Sequence, residues 1–119
     1  AAPPTNPLAG KTYGLTDLNG APIVPESMIT VTFNSDGTLN GSGGCNNYNG
    51  RYTANEGRIT VSEISQTNSL CVIPDGIMEQ ESAYINALRA AVTFEFPDRT
   101  TKMIMRNAAG QEILSYLLK

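Results

Sequence analysis

The stretch that contains both cysteines, residues 41–71, constrains the fold more than any other part of this chain. It opens with GSGGCNNYNGRY and closes with QTNSLC, so each end carries one cysteine. Its first half is unusually dense in glycine and asparagine, which adopt positive φ angles more readily than other residues. We therefore predict tight turns and close backbone approaches here. Cys45 is expected at the end of a strand or in the loop after it, and Cys71 beyond a later strand.

Cys45 and Cys71 are open to three interpretations: a disulfide, a metal site or a redox pair. Redox pairs usually follow a C-x-x-C pattern, and this spacing is far longer. A zinc site needs about four ligands, and the chain has no histidine and no third cysteine. We predict a disulfide, with two buried free thiols in a cytosolic protein as the alternative, and we expect neither a metal nor a cofactor.

Length and charge narrow the class of protein. The chain has 119 residues, which is typical of one domain, and a formal net charge of −3. The acidic balance argues against binding to nucleic acid or to anionic membranes. No apolar run approaches the roughly 18 residues of a membrane-spanning helix, so we do not expect the chain to span the membrane. We also expect a monomer. The first residue is Ala1, and with a disulfide this favours export to the periplasm, to the cell envelope with or without a lipid anchor, or to the exterior.

The predicted domain covers residues 8–119, after a flexible, proline-rich tether over residues 1–7. A vector remnant is the alternative origin of that tether. Alternating apolar residues predict strands in the domain. The predicted strand regions are 11–18, 21–24, 28–33, 38–44, a hairpin over 48–61, 93–96, 102–106 and 113–118. We predict turns at Asn19-Gly20, at Asn49-Gly50 and at residues 55–57.

Residues 76–90 have the only strong helical pattern. The apolar residues that recur at helical spacing are Ile77, Tyr84, Ile85, Leu88 and Val92. Asp75 is the predicted N-cap, and Glu81 falls close to the apolar stripe. The predicted fold is mainly β (α+β): a small antiparallel barrel or roll of about seven or eight strands, about four of them before the helix, which covers one open end.

Several motifs together resemble the META/HslJ domain family over nearly the whole chain from Leu8 onward. They are the turn NGAP at 19–22, the segment GSGGCNNYNGRY at 41–52, TNSLC at 67–71 and the helix MEQESAYINAL at 78–88. The chain departs from many relatives where two residues stand between the second cysteine and the next proline. The resemblance implies a small β-rich domain with a helix, found in exported bacterial proteins, often lipoproteins, and in some parasite proteins. Such proteins are linked with stress response, antibiotic tolerance, motility or virulence, and no enzymatic activity comes with the family.

The residues themselves do not predict catalysis. Histidine, the usual general base at neutral pH, is absent. Glu63, Glu79 and Glu81 could form a carboxylate pair, but two helix-start acids and one strand-face acid are the simpler interpretation. We therefore expect no catalytic residue and no enzyme.

A binding site beside the cysteines is the remaining candidate. Its candidate residues are Asn46, Tyr48, Gly50, Tyr52, Thr67, Ile73 and Pro74. The structural alternative gives Asn46, Tyr48 and Thr67 hydrogen bonds within the turns. We expect a non-catalytic envelope module that binds an unidentified envelope or secreted protein, with Tyr48 and residues 72–75 as contacts. The alternative function is a secreted peptidase inhibitor that presents the loop after Cys71.

Overall fold

The computed structural model describes residues 8–24, 27–55, 57–72, 75–97 and 101–119. These residues form nine strands and one helix. In chain order they are β1 (Lys11–Leu18), β2 (Ala21–Pro22), β3 (Thr30–Phe33), β4 (Thr38–Ser42), β5 (Asn47–Asn55), β6 (Arg58–Gln66), α1 (Ile77–Ala90), β7 (Thr93–Glu95), β8 (Lys102–Arg106) and β9 (Glu112–Leu118). Six strands precede the helix, more than the four or so expected, because β2 is a two-residue strand and residues 47–66 form two complete strands.

Eight of the strands form a closed antiparallel barrel. The order is β1-β3-β4-β5-β6-β7-β8-β9, and β9 pairs with β1 to complete the circle. β2 is an additional short strand beside β1, joined to it through the predicted turn at Asn19-Gly20. The mainly β fold with a single helix, predicted from the sequence, is therefore confirmed.

The predicted turn at Asn49-Gly50 is wrong, because both residues lie inside β5. Asn49 is exposed and Gly50 is buried, as alternation along a strand requires. A Cβ atom at Gly50 would lie 3.0 Å from the carbonyl oxygen of Ser62 on β6. The glycine thus permits a close approach of β6, where the register shifts and Glu63 adopts a φ of 53°. Packing against the next strand overrides the local turn preference of the dipeptide.

The helix α1 lies against β1, β6 and β9 and confirms the predicted span to within a residue. Its inward face carries polar as well as apolar side chains, namely Ile77, Gln80, Glu81, Tyr84, Ile85, Ala87 and Leu88. Leu88 is fully buried and Ile85 is 3% exposed, so both lie in the hydrophobic core that fills the barrel.

Two details of the predicted helix are wrong. The N-cap is Gly76, and no side chain caps the helix, so Asp75 does not have the capping role. Gly76 has a φ of 83°, a left-handed conformation that glycine adopts without a steric penalty. Val92 lies beyond the end of the helix and is 39% exposed, so it does not belong to the buried stripe.

Candidate functional site

A disulfide joins Cys45 to Cys71, as the sequence predicts. The two Cα atoms are 5.9 Å apart and the sequence separation is 26 residues. Cys45 lies in the loop between β4 and β5, and Cys71 lies after the end of β6. The bond therefore fixes the segment 67–72, which we call the Cys71 loop, to the β4–β5 loop.

A buried carboxylate lies beneath this disulfide. Glu81 of α1 is 3% exposed, and its Oε2 accepts hydrogen bonds from the backbone N–H groups of Cys45 at 2.9 Å and Asn46 at 2.6 Å. Its Oε1 accepts from the side-chain amides of Asn46 at 2.8 Å and Gln66 at 3.3 Å. Four N–H donors around one carboxylate compensate for the loss of water. Glu81 thus holds the β4–β5 loop against the helix.

Gly43 makes room for that carboxylate. A Cβ atom there would lie 2.9 Å from Cγ of Glu81 and 3.1 Å from its Oε2. Any larger residue at position 43 must displace the Glu81 side chain, so this glycine of the GSGGC segment has a steric function.

Asn46 extends the network from the helix to the Cys71 loop. Its Oδ1 accepts from the backbone N–H of Ser69 at 2.6 Å and from the hydroxyl of Thr67 at 2.9 Å. Its Nδ2 donates to the carbonyl of Ser69 at 3.0 Å and to Glu81. Both donors and both lone pairs of the amide are used. We call Asn46, Thr67, Ser69 and Glu81 the Asn46–Glu81 cluster.

Three tyrosine hydroxyls form a second buried network. Tyr48 donates to the carbonyl of Thr30 at 2.7 Å and lies 2.7 Å from the hydroxyl of Tyr84, which lies 2.9 Å from that of Tyr116. Burial, together with the neighbouring tyrosine, raises the pKa of each of these three hydroxyls well above its usual value. Tyr48 is 2% exposed, so the expectation that its ring contacts a partner is wrong.

The remaining candidate residues divide into two groups. Tyr52 is buried and donates from its hydroxyl to the carbonyl of Asn34 at 2.8 Å, and Gly50 lies in β5 beneath β6. Ile73 and Pro74 lie outside the described residues. For Asn46, Tyr48 and Thr67, the hydrogen bonds are those that the structural alternative requires.

The Cys71 loop is the part of this region that faces solvent. Leu70 is 81% exposed and Val72 is 77% exposed, on either side of the disulfide. A shallow depression of about 290 Å³ lies beside them. Its lining comprises Leu70, Cys71, Val72, Asp75, Gly76, Ile77, Met78 and Glu79. Two apolar side chains and a pair of exposed acids therefore share one surface.

The acids considered for catalysis do not converge. Glu81 points into the Asn46–Glu81 cluster, whereas Glu63 forms an exposed ion pair with Arg51 at 3.0 Å. Within the described ranges, no three His, Cys, Asp or Glu residues lie close enough to hold a metal ion. Nor does any helix in those ranges have the length and apolar character needed to cross a membrane.

A model of the META domain matches residues 6–118. The chain therefore belongs to the META domain family. A protein from Burkholderia xenovorans, whose structure was solved by NMR, is 26% identical in sequence to this META domain. The two structures superpose with a TM-score of 0.74, and the match covers 100% of this chain and 92% of the Burkholderia chain. A DUF4847 family protein from Bacteroides vulgatus, known from a crystal structure, is 15% identical in sequence. Its TM-score is 0.70 over 93% of this chain and 94% of that chain, which is a similarity of fold alone. No curated protein is significantly similar to the chain.

Sequence reasoning missed two of the residues that organise this META domain. Gln80 accepts from the backbone N–H of Val24 at 2.6 Å and donates to the hydroxyl of Ser27 at 3.0 Å, so it holds the segment before β3. Glu81 holds the β4–β5 loop in the same way. The available signal was the position of Glu81 near the apolar stripe of the helix, which indicates a buried acid.

Proposed function

We propose that this META domain is a non-catalytic binding module of the cell envelope, and that the Cys71 loop is its contact surface. One observation carries the proposal: Leu70 and Val72 are 81% and 77% exposed, although Cys71 between them is covalently bound to Cys45. Exposed apolar side chains cost solvation free energy, and clusters of them often mark interaction sites. Residues 8–119 act as one domain in this proposal.

The loop is restrained before any partner arrives. The side-chain amide of Asn46 hydrogen-bonds both the backbone N–H and the backbone carbonyl of Ser69, and the disulfide fixes Cys71 two residues later. Leu70 and Val72 therefore lose little conformational entropy on binding, which favours affinity.

The chemistry of the surface defines the partner. Asp75 and Glu79 border the depression beside the two apolar side chains, and both are exposed. A protein with an apolar groove flanked by lysine or arginine would complement this arrangement. The disulfide supports the assignment to the cell envelope, since disulfides persist in oxidising compartments.

The test is a photo-crosslinking experiment in the native envelope. A photo-reactive amino acid at position 70 should trap a specific protein, whereas one at Ala109, in the exposed turn before β9, should not. Leu70→Ser and Val72→Ser should reduce capture by a probe at Asn68. Leu117→Ser, which removes a 48% exposed apolar side chain elsewhere, is the matched control. Equal capture from positions 70 and 109 would refute the proposed contact surface.

Peptidase inhibition is the second candidate function, favoured by the alternation of exposed, half-buried and exposed residues at 70–72. Extended loops held by a disulfide suit a protease active site. A panel of serine, cysteine and metallopeptidases separates the two functions. Inhibition that is lost in Leu70→Ser but kept in Leu117→Ser would favour the inhibitor over the envelope module.

A further inference from the structure

The outward face of β3, β4 and β5 is almost free of charge. Its side chains are Thr30, Thr32, Thr38, Asn40, Ser42, Asn47, Asn49, Arg51, Thr53 and Asn55. Among these residues Arg51 is the one charged side chain, and Glu63 neutralises it at 3.0 Å. The face therefore presents mainly hydroxyl and amide groups without apolar anchors, and the acid Asp36 of the β3–β4 turn borders it.

Shallow depressions run continuously along this face. A depression of about 450 Å³ extends from Thr30 to Asn49, and one of about 380 Å³ shares Asn40 and Asn49 with it. A third of about 340 Å³ continues from Arg51 to Thr60. The distance from residue 47 to residue 53 along β5 is about 20 Å at the usual rise per strand residue. This length accommodates several linked sugar rings.

The two asparagines of β5 that face the depressions make no side-chain hydrogen bond within the described ranges that would explain their presence in a strand. Asparagine is depleted in strands, because its side chain competes for backbone hydrogen bonds. The side chains of Asn47 and Asn49 nevertheless make no hydrogen bond to any described residue. Asn40 uses its Oδ1 to accept from Asn34 at 2.9 Å and keeps its amide N–H groups for solvent.

The register brings these groups into rows across the strands. Thr32 pairs with Asn40, Asn40 with Asn49, and Asn49 with Ser65, so one row crosses β3, β4, β5 and β6. Ser42 pairs with Asn47 in the next row. The longer row places two neighbouring amides between two hydroxyl groups, at the spacing of adjacent strands, about 5 Å.

We propose that this face, which we call the β3–β5 groove, binds a neutral polysaccharide. Amides that donate and accept in one plane match the vicinal hydroxyl groups of a sugar ring. An anionic polymer such as nucleic acid requires excess positive charge, which the paired Arg51 does not supply. A peptide requires apolar pockets or a free strand edge, and β4 and β5 are paired on both sides. The β3–β5 groove meets the Cys71 loop at Asn47, whose backbone makes two hydrogen bonds with Thr67, and extends away from that loop along β5.

The experiment is a titration of the ¹⁵N-labelled protein with maltohexaose, cellohexaose and chitohexaose at millimolar concentration, followed by ¹H–¹⁵N NMR. At least one probe should cause saturable shifts in the backbone amides of residues 38–42 and 47–53. The side-chain NH₂ signals of Asn47 and Asn49 should shift with them. No saturable shift with any of the three probes, or shifts centred outside the β3–β5 groove, would overturn the proposal.

Variants make the assignment specific. The double variant Asn47→Thr and Asn49→Thr removes both amides while improving strand propensity, so it should fold. Its affinity should fall about tenfold, because each lost amide hydrogen bond is worth a factor of a few in the dissociation constant. Asn86→Ala removes an exposed amide from α1 and should leave the titration unchanged. Equal affinity of the double variant, or tighter binding of heparin than of the neutral probes, would contradict the proposal.

Discussion

The side-chain amide of Asn46 lies 2.8 Å from Oε1 of Glu81, and this contact joins the disulfide region to the helix. The two residues are 35 positions apart in sequence. Glu81 of α1 fixes the β4–β5 loop by accepting hydrogen bonds from Asn46, and Asn46 in turn fixes the Cys71 loop by hydrogen bonding to Ser69. The order of the proposed contact surface therefore depends on a buried carboxylate.

We predict that Glu81→Gln destabilises the protein by about 2–3 kcal/mol, since a charged acceptor is lost and the new amide faces the donor of Asn46. The measurement is urea unfolding under oxidising conditions. Glu79→Gln, two residues earlier and exposed, should change the free energy of unfolding by less than about 0.5 kcal/mol. Equal effects of the two substitutions would show that the Asn46–Glu81 cluster does not stabilise the fold.

Leu88→Ala should cost about 2–5 kcal/mol, because the side chain is fully buried in the barrel core and its removal leaves a cavity. Asn86→Ala, on the exposed side of the same helix, serves as the control. Thermal and urea unfolding of both variants provide the check. A loss below about 0.5 kcal/mol at Leu88 would mean that the helix contributes little to the core.

The alternating pattern of the strands was predictable because each strand has one face in the core and one in water. Val31 and Phe33 are buried, while Thr30 and Thr32, which alternate with them, are only partly buried, as the sequence alone indicates. The same holds for the helix, where Ile85 and Leu88 recur at helical spacing.

The candidate site was less predictable, because its contacts join residues distant in sequence. An acid in the first turns of a helix ordinarily faces solvent, yet the partners of Glu81 come from a loop 35 and 36 residues away. Asn49-Gly50 is a turn signal by local chemistry alone, and only the approach of β6 to Gly50 decides against it.

The disulfide is expected to contribute about 3–4 kcal/mol to stability on the chain-entropy model for a loop of this length. Alkylation followed by intact-mass analysis should find no modified cysteine in the untreated protein and two after reduction. The variant Cys45→Ser with Cys71→Ser should retain the barrel spectrum by circular dichroism, because Asn46 still holds the chain as far as Ser69. Two alkylated thiols in the untreated protein would rule out the bond in solution.

Alkaline pH should weaken the fold. Since the pKa of Tyr48, Tyr84 and Tyr116 is raised in the folded state, all three remain protonated when the unfolded chain begins to ionise near pH 10. Their stability contribution is therefore complete below about pH 10 and is lost above it, by up to about 1.4 kcal/mol per pH unit for each tyrosine. Urea unfolding between pH 8 and pH 11 measures this slope, which Tyr116→Phe should reduce. A free energy of unfolding that stays constant to pH 11 would contradict this linkage.

The donor and acceptor in each tyrosine hydrogen bond follow from the carbonyl of Thr30, at which the network ends. The carbonyl of Thr30 can only accept, so the single hydroxyl proton of Tyr48 is used there. Tyr84 must then donate to Tyr48, and Tyr116 must donate to Tyr84. Because Tyr116 is the terminal donor, Tyr116→Phe leaves only the acceptor of Tyr84 unused and should destabilise the protein by about 0.5–1.5 kcal/mol. Tyr84→Phe leaves the buried hydroxyl of Tyr116 without an acceptor and should destabilise the protein by about 2–3 kcal/mol. Equilibrium unfolding of the two variants at pH 7 measures both values, and the reverse ranking would contradict the derived direction.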